Sequence, residues 1–540
     1  MIHIDLYRKN WITQGAVSTI GWAEWMGKSY TGEAFHQLVL SSIRRKEHTL
    51  SQLATGLNGN YAIVIQSKSS VFLISDHIRS YPLLYLKEKG HIYITDNLLA
   101  SFEKYGLNPE VDIRKAEVFL TAGLTLEDST LYKEVYALQA AEIVRINDQE
   151  TEKKRYFTYA SEFDPKKKLV VTEEVEKQNA LFTRLFRRMR ESAPEVRNWI
   201  VPLSGGHDSR MVLNQMHKLG IKNLICYSYG YPGNKQSRLS QQIAEALGYA
   251  WHFVEYTPEK WQALRESPDF DRYFDFAFNG VSDPHIQDLL AVSELKKQKI
   301  LQPGDIFVPG HTFDFLTGAY CFDGIEKLRS KQQIYTYLAP YFNQWEATKR
   351  SDVVLEELST MIKHFQQSPR YFPEYFHWQE RHAKFIQNSV RVYEYFGFDW
   401  RTPLWDKELM VYWQQIPVEI KKYRRFLYAC EKNGLYEEPL RSIAFDLEMR
   451  PVGTKSKLIA SLPDAWKRKL IYRTRKETPR SDDALYMVYA AGSPRFPEGM
   501  PYDKLPNKLR RYLKPYVKRP LHWFPDNDNN TLYAIRNVRF

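Results

Sequence analysis

Residues 201–213, VPLSGGHDSRMVL, place an apolar run ahead of Ser204, Gly205, Gly206, His207, Asp208 and Ser209, then resume with helix-forming residues at Arg210. Two adjacent glycines carry no β-carbon, so backbone N–H groups can converge on an anion. The start of the following helix adds unpaired donors and a dipole that favours negative charge. The spacing therefore describes a phosphate cradle. It is not the GxxxxGK[ST] loop; instead Asp208 stands beside Ser204 and Ser209, a carboxylate suited to Mg²⁺ carried by a polyphosphate. A plain strand-to-helix turn with a capping Ser or Asp accounts for fewer of these positions.

Such a turn needs a strand before it and a helix after it. NWIVPL precedes it, SRMVLNQMHKLG reads as a helix ending at Gly220, NLICYSYG as a strand, SRLSQQIAEALG as a helix stopped by Gly248, and HFVEY as a strand. This alternation predicts a parallel, doubly wound α/β sheet, in which ligands bind at the carboxyl ends of strands, where the glycine turn falls. Upstream, residues 56–96 read as short strands, YAIVIQ, VFLIS, LLYLKE and HIYIT, separated by Ser, Asp and Gly: an antiparallel β region. The charged FDPKKK stretch at 163–168 marks a boundary, and the spacing of Val175, Leu181, Leu185 and Met189 after it is helical.

The 540 residues, 43% of them hydrophobic, suffice for two or three domains. No run is long and apolar enough for a membrane span, and MIHIDLYRKN lacks the pattern of a secretory signal, so the expected location is cytoplasmic, without stable membrane insertion. Cys226, Cys321 and Cys430 have no chelating spacing and are expected to be reduced and buried. The formal net charge of +12 is most visible in WKRKLIYRTRKETPR (466–480) and KLRRYLKPYVKRP (508–520). These runs fit a solvated helix face better than a nucleic-acid or membrane surface, with attraction of an anionic substrate such as ATP as the other reading.

SGGHDS resembles the SGGxDS pyrophosphate loop of the asparagine synthetase family, which includes the β-lactam synthetase-like enzymes. CYSYGYPGNKQSRLSQQIAEALG resembles the family's next strand and helix, VPGHTFDFLTGAY its SG[DE]G[AS]DELFGGY segment, and DWRTPLWD its E-x-R-x-P-F-L-D segment. More weakly, LNGNYAIVI and SDHIRSYPLLY resemble the glutaminase L-x-G-x-F-A and R-D-R-x-G-x-K-P-L-Y-Y segments. The resemblance implies an N-terminal antiparallel β-rich, Ntn-hydrolase-like domain over 1–160. It further implies an ATP-pyrophosphatase (adenine nucleotide α-hydrolase-like) domain with a helical C-terminal part over 165–465, and leaves a basic, aromatic extension over 466–540.

The implied chemistry is AMP-forming amide synthesis through an acyl-adenylate from a small-molecule carboxylate and an amine or ammonia, asparagine biosynthesis being the family's type reaction. ATP and pyrophosphate would be held by Leu203, Ser204, Gly205, Gly206, His207, Asp208, Ser209 and Gly310 and by the strand at Tyr227, Ser228 and Tyr229, with Mg²⁺ on Asp208 and Asp314. Asp399, which replaces the family's glutamate, or Glu394 is the expected base for the amine, and Lys455 or Lys457 the expected cation. His311 and Phe315 stand where the family carries acids, which leaves the acyl substrate open. Glutamine-dependent relatives begin with a nucleophilic cysteine; this chain reads Met1, Ile2, His3, and LNGNYAIVI begins too early for a full glutaminase half. The domain is accordingly expected to be a degenerate scaffold, with nitrogen from ammonia, a substrate amine or a separate glutaminase. The alternatives are an intramolecular amide-closing synthetase of the β-lactam or macrolactam kind, and a catalytically silent nucleotide-binding partner protein. No nucleic-acid partner is expected.

Overall fold

The structure, a computed structural model, describes residues 1–45, 48–230, 232–342 and 351–445. The alternation after residue 198 folds as a five-stranded, all-parallel sheet in the spatial order Ala250–Glu255, Leu224–Gly230, Trp199–Pro202, Ile306–Phe307, Asp399–Trp400. Helices His207–Lys218 and Lys235–Ala246 follow the first two strands in sequence, close to the expected bounds. The two outer strands on the far side have two residues each, too few to show a period-2 pattern. Alternate side chains leave the sheet on opposite faces: Ile200, Tyr227 and Phe307 enter one core, while Trp199, Val201, Cys226, Ile306 and Val308 enter the other. Strand order reverses between Trp199–Pro202 and Ile306–Phe307, so the segments leaving these two strands, 203–209 and 308–314, meet at a topological switch point.

Helix Val171–Glu191 packs on the second face. It buries Val175, Leu181, Phe182, Leu185, Phe186 and Met189 at helical spacing, each contributing roughly 1.5–3 kcal/mol relative to exposure. The region beyond 351 is mainly helical and includes a ten-residue π-helix, His377–Ile386. The cysteines are free thiols and all three are buried.

The N-terminal part holds a seven-stranded sheet, centred on the antiparallel pair Val17–Trp25 and Asn58–Gln66, and a four-stranded sheet containing Leu84–Glu88 and His91–Thr95. All four strands read between 56 and 96 are present. The antiparallel expectation needs one correction, because Ile2–Asp5 pairs parallel with His91–Thr95. The long chain between these two strands makes a crossover, and a crossover permits parallel pairing.

The two parts share one core. Leu86 and Ile94 belong to the same apolar cluster as Leu290, Tyr393 and Trp400. Around it, DWRTPLWD works as a clamp between the parts. Asn60 donates to Thr402 (3.0 Å), Asn58 to Asp406 (3.1 Å), and the Trp405 carbonyl lies 2.6 Å from His77 Nε2. Arg401 donates to the Ser192 hydroxyl (2.8 Å), and Asp406 caps the helix Lys407–Gln414.

Candidate active site

The helix that follows the glycine turn starts at His207 with Gly206 as its N-cap and no side-chain cap bond. Its first N–H groups therefore stand at the open end of the turn, where the helix dipole also favours an anion. The hydroxyl of Ser209 turns back to accept from the Ser204 amide (3.0 Å) and pairs with the Ser204 hydroxyl (3.1 Å), which accepts from the Gly206 amide (3.2 Å). Leu203 N–H donates to the Tyr227 carbonyl (2.8 Å), tying the turn to the neighbouring strand.

Gly310 closes the cradle from the next strand. A β-carbon there would meet the Ser209 amide nitrogen at 2.5 Å and the Asp208 carbonyl carbon at 2.8 Å, both backbone atoms that cannot swing aside. Gly310→Ala is therefore expected to displace the cradle and weaken Mg²⁺-ATP binding about tenfold or more, measured by calorimetry, with the circular dichroism of the fold unchanged. Binding equal to the parent's would show that the two segments need not touch.

Asp208 and Asp314 come together as the resemblance implies: the Asp314 amide donates to Asp208 Oδ2 (2.8 Å). Asp314 in turn accepts from its neighbour Phe315 N–H (2.8 Å) and from the Tyr320 hydroxyl (3.3 Å). Burial, and next the Asp208 charge, push the Asp314 carboxyl up from 3.8 to about 6, although Arg424 pulls the other way. Arg424 is a residue the sequence reading missed. It donates to Asp208 Oδ1 at 2.6 Å and to the Thr317 hydroxyl at 2.9 Å. Burial works against its charge, but Asp208 and Asp314 outweigh burial and raise its pKa. It reaches back because Tyr423 and Arg424 both adopt left-handed backbone, with φ of 57° and 60°. Nothing in KKYRRF announces such a pair of residues.

Arg424 and, more weakly, Arg381 offset the two carboxylates, and Thr312, also left-handed (φ 80°) and buried, has no hydrogen-bond partner for its hydroxyl. Carboxylate and hydroxyl oxygens are donors of the kind that suit a divalent cation with phosphate ligands. Among the described residues no group of three or more His, Cys, Asp or Glu could hold a metal ion by itself.

His207 packs against the region that follows residue 430. Its Nδ1 sits 2.9 Å from Glu431, and its ring stacks on Phe445 (4.1 Å between centroids). Arg210 grips the Ile443 and Ala444 carbonyls (2.7 Å each), which brings the chain beside the cradle shortly before the expected lysines. Lys455 and Lys457, like the basic runs at 466–480 and 508–520, lie outside the described residues.

The structure does not bring Asp399 or Glu394 to the cradle. Asp399 pairs in register with Ile306, which pairs with Trp199, five residues before Ser204; at about 3.3 Å per residue the separation along the strands is roughly 16 Å. Its carboxylate accepts from Asn10 (3.0 Å) at the exposed end of the sheet. Glu394 accepts from Arg8 (3.1 Å), Arg391 (2.6 Å) and the Trp400 indole (2.9 Å), and its charge is neutralised between the two guanidinium groups. Both expected base assignments are corrected accordingly, since motif position says nothing about which end of a two-residue strand a side chain occupies.

A different carboxylate is tied to the expected nucleotide strand. Asp288 accepts from the hydroxyls of Tyr227 (2.9 Å), Tyr229 (2.6 Å) and Tyr393 (2.7 Å), so the two tyrosines of the expected nucleotide strand direct their phenols to it. Ser228, between them in sequence, is buried. His311 feels both Asp288 and Asp208. Burial lowers its imidazole to about 4 against the pull of those acids, and Ser389 Oγ lies 3.2 Å from its Nε2. Phe315 stacks on His382 (4.7 Å) and serves packing.

A doubly wound sheet with an anion cradle and paired carboxylates at its switch point defines a nucleotide-using enzyme. Residues 197–432 match the asparagine synthase family and residues 39–157 the glutamine amidotransferase domain, so over these two segments the chain is asparagine synthetase-like, which supports an ATP-dependent amide-forming ligase. No curated protein matches it in sequence. Similar solved structures include NMN synthetase from Francisella tularensis, with 12% identity, 41% of this chain and 97% of that one covered, and a TM-score of 0.20. The NH3-dependent NAD synthetase from Campylobacter jejuni subsp. jejuni NCTC 11168 has 11% identity, 42% and 96% coverage and a TM-score of 0.21. Glutamine-dependent NAD+ synthetase from Acinetobacter baumannii has 13% identity, 78% and 89% coverage and a TM-score of 0.20. No helix among the described residues is long and apolar enough to cross a membrane.

Proposed function

We propose that this enzyme activates a small carboxylic acid as its acyl-adenylate and transfers the acyl group to an amine or to ammonia. The observation that carries this reading is the uncapped helix start at 206–209 facing the Asp208–Asp314 pair at the switch point. In the first step a carboxylate oxygen of the acid bonds to the α-phosphorus of ATP, and pyrophosphate leaves with the electron pair of the broken P–O bond. The cradle N–H groups favour that leaving charge. Mg²⁺ would be held by Asp208, Asp314 and phosphate oxygens and would supply further neutralisation. In the second step the amine nitrogen bonds to the acyl carbon and AMP leaves.

Asp288 is the residue we assign to the incoming amine. Three phenols occupy three of its roughly four acceptor sites, leaving one for an ammonium or amine N–H. Asp288→Asn is accordingly expected to spare pyrophosphate exchange into ATP and to raise KM for the amine about tenfold or more. Equal loss of both half-reactions would assign Asp288 to the fold.

The N-terminal domain contains no cysteine, and the three thiols elsewhere are buried with raised pKa values, which supports a nitrogen source other than glutamine hydrolysed by this chain. One assay tests the whole reading: the purified chain with Mg²⁺, ATP, a panel of acids, and either ammonium or glutamine, followed by chromatography. AMP and pyrophosphate are expected with the correct acid, and glutamate no faster than from heat-inactivated protein. ADP and phosphate as products would sink the adenylation, and glutamate formation that tracks ATP use would restore a glutaminase.

A further inference from the structure

We propose that the cleft lined by Arg79 and Gln387, where the N-terminal part meets the segments 277–282 and 383–391, binds a small carboxylate. Arg79 occupies the position of the glycine in the R-D-R-x-G-x-K-P segment that SDHIRSYP resembles. It keeps the glycine's left-handed backbone, with φ of 56°, an arrangement that strains a bulky residue. The turn is enforced by Asp76, whose carboxylate accepts from the amides of Tyr61 (2.7 Å), Ile78 (2.9 Å) and Ser80 (3.1 Å). The strained residue is buried, yet among the described residues its guanidinium has no carboxylate within ion-pair distance, Glu380 acting on it only from farther off: Nε donates to the Leu138 carbonyl (2.8 Å), and Nη2 has no partner. Burial, with Arg391 adding to it, pushes its pKa down to about 10.

Across the cleft, Gln387 is buried with neither its amide oxygen nor its amide nitrogen hydrogen-bonded. Most other polar groups lining the space are engaged elsewhere. Lys384 donates to the Thr125 and Glu127 carbonyls and to Glu380, Arg391 to Glu394 and the Ser80 carbonyl, and Asn388 to the Ala277 and Asp283 carbonyls. The buried groups left without a partner are thus a guanidinium edge and a whole carboxamide, which line one small space. A guanidinium left without a counter-ion selects an anion, and its planar N–H groups match a carboxylate. Gln387 can add a donor to the same carboxylate and an acceptor for an N–H of the ligand. Gln387 also directly follows the π-helix, a geometry frequent at functional sites. Nothing in the adenylation chemistry uses this cleft, so the proposal stands apart from that reading.

The test is calorimetric titration of the full chain with succinamate, which joins a carboxylate to a primary carboxamide, against succinamide and inorganic phosphate. Saturable binding of succinamate, at least tenfold tighter than of succinamide or phosphate, is expected. Arg79→Gly should weaken it tenfold or more while leaving the thermal midpoint of the ligand-free protein level or higher, because glycine relieves the left-handed strain. Gln387→Leu, which keeps the volume, should weaken it as well. Succinamate binding unchanged in both variants, absence of saturable carboxylate binding to the parent, or preference for phosphate would each overturn the proposal.

Discussion

Asp314→Asn is expected to reduce AMP and pyrophosphate release by about 10²-fold or more and, in the absence of nucleotide, to make the protein more stable above pH 6. The two effects have one cause. The Asp314 carboxyl is pushed up to about 6 in the folded chain by burial and by Asp208, so the folded state binds its proton more tightly than the unfolded state, whose value is near 3.9. With more protons on the folded form, stability falls as pH rises between these values. Below about pH 4 the group is protonated in both states and the penalty disappears; above pH 6 it is fully present, of the order of 1–3 kcal/mol. The asparagine variant should therefore match its parent in thermal midpoint near pH 4 and exceed it at pH 8. A variant that melts lower at pH 8 would show that the carboxylate is compensated by groups other than Arg424.

Arg424→Met should have the largest effect on the fold itself, a destabilisation of about 3–5 kcal/mol, because it leaves Asp208 and Asp314 facing each other with their shared cation removed. Combining it with Asp208→Asn should recover a substantial part of that loss, since the double variant carries one uncompensated charge fewer. Denaturant titrations of the parent, both single variants and the double variant form a cycle whose coupling energy measures the pair. A coupling energy near zero would mean that the guanidinium is held by Thr317 alone.

The sequence was legible where chemistry is local. The glycine turn, the strands on its two sides and the helices at 207–218 and 235–246 could be read because a strand, a turn and a helix each leave their signature within a dozen residues. Asp314 could be placed beside Asp208 only through the resemblance. Arg424 and Asp288 could not be read at all: one finds its partner 216 residues away and the other is gathered by tyrosines 59, 61 and 105 residues away. The misplacement of Asp399 has the same origin. Its strand has two residues, and the neighbour that fixes its height, Ile306, belongs to another strand equally short.

The apolar cluster common to both parts of the chain has a historical consequence. Removing the N-terminal part would uncover Tyr393, Phe398 and Trp400 together with the sheet face behind them, and would strip Asp406 and Thr402 of Asn58 and Asn60. A lineage in which that part no longer supplied a nucleophile would still be unable to discard it, since any shortened descendant would present a sticky, half-built surface and aggregate. The domain's persistence is therefore no record of its present chemistry: selection on solubility alone is enough to retain it, and leaves its own surfaces, Arg79 included, open to be turned to other uses.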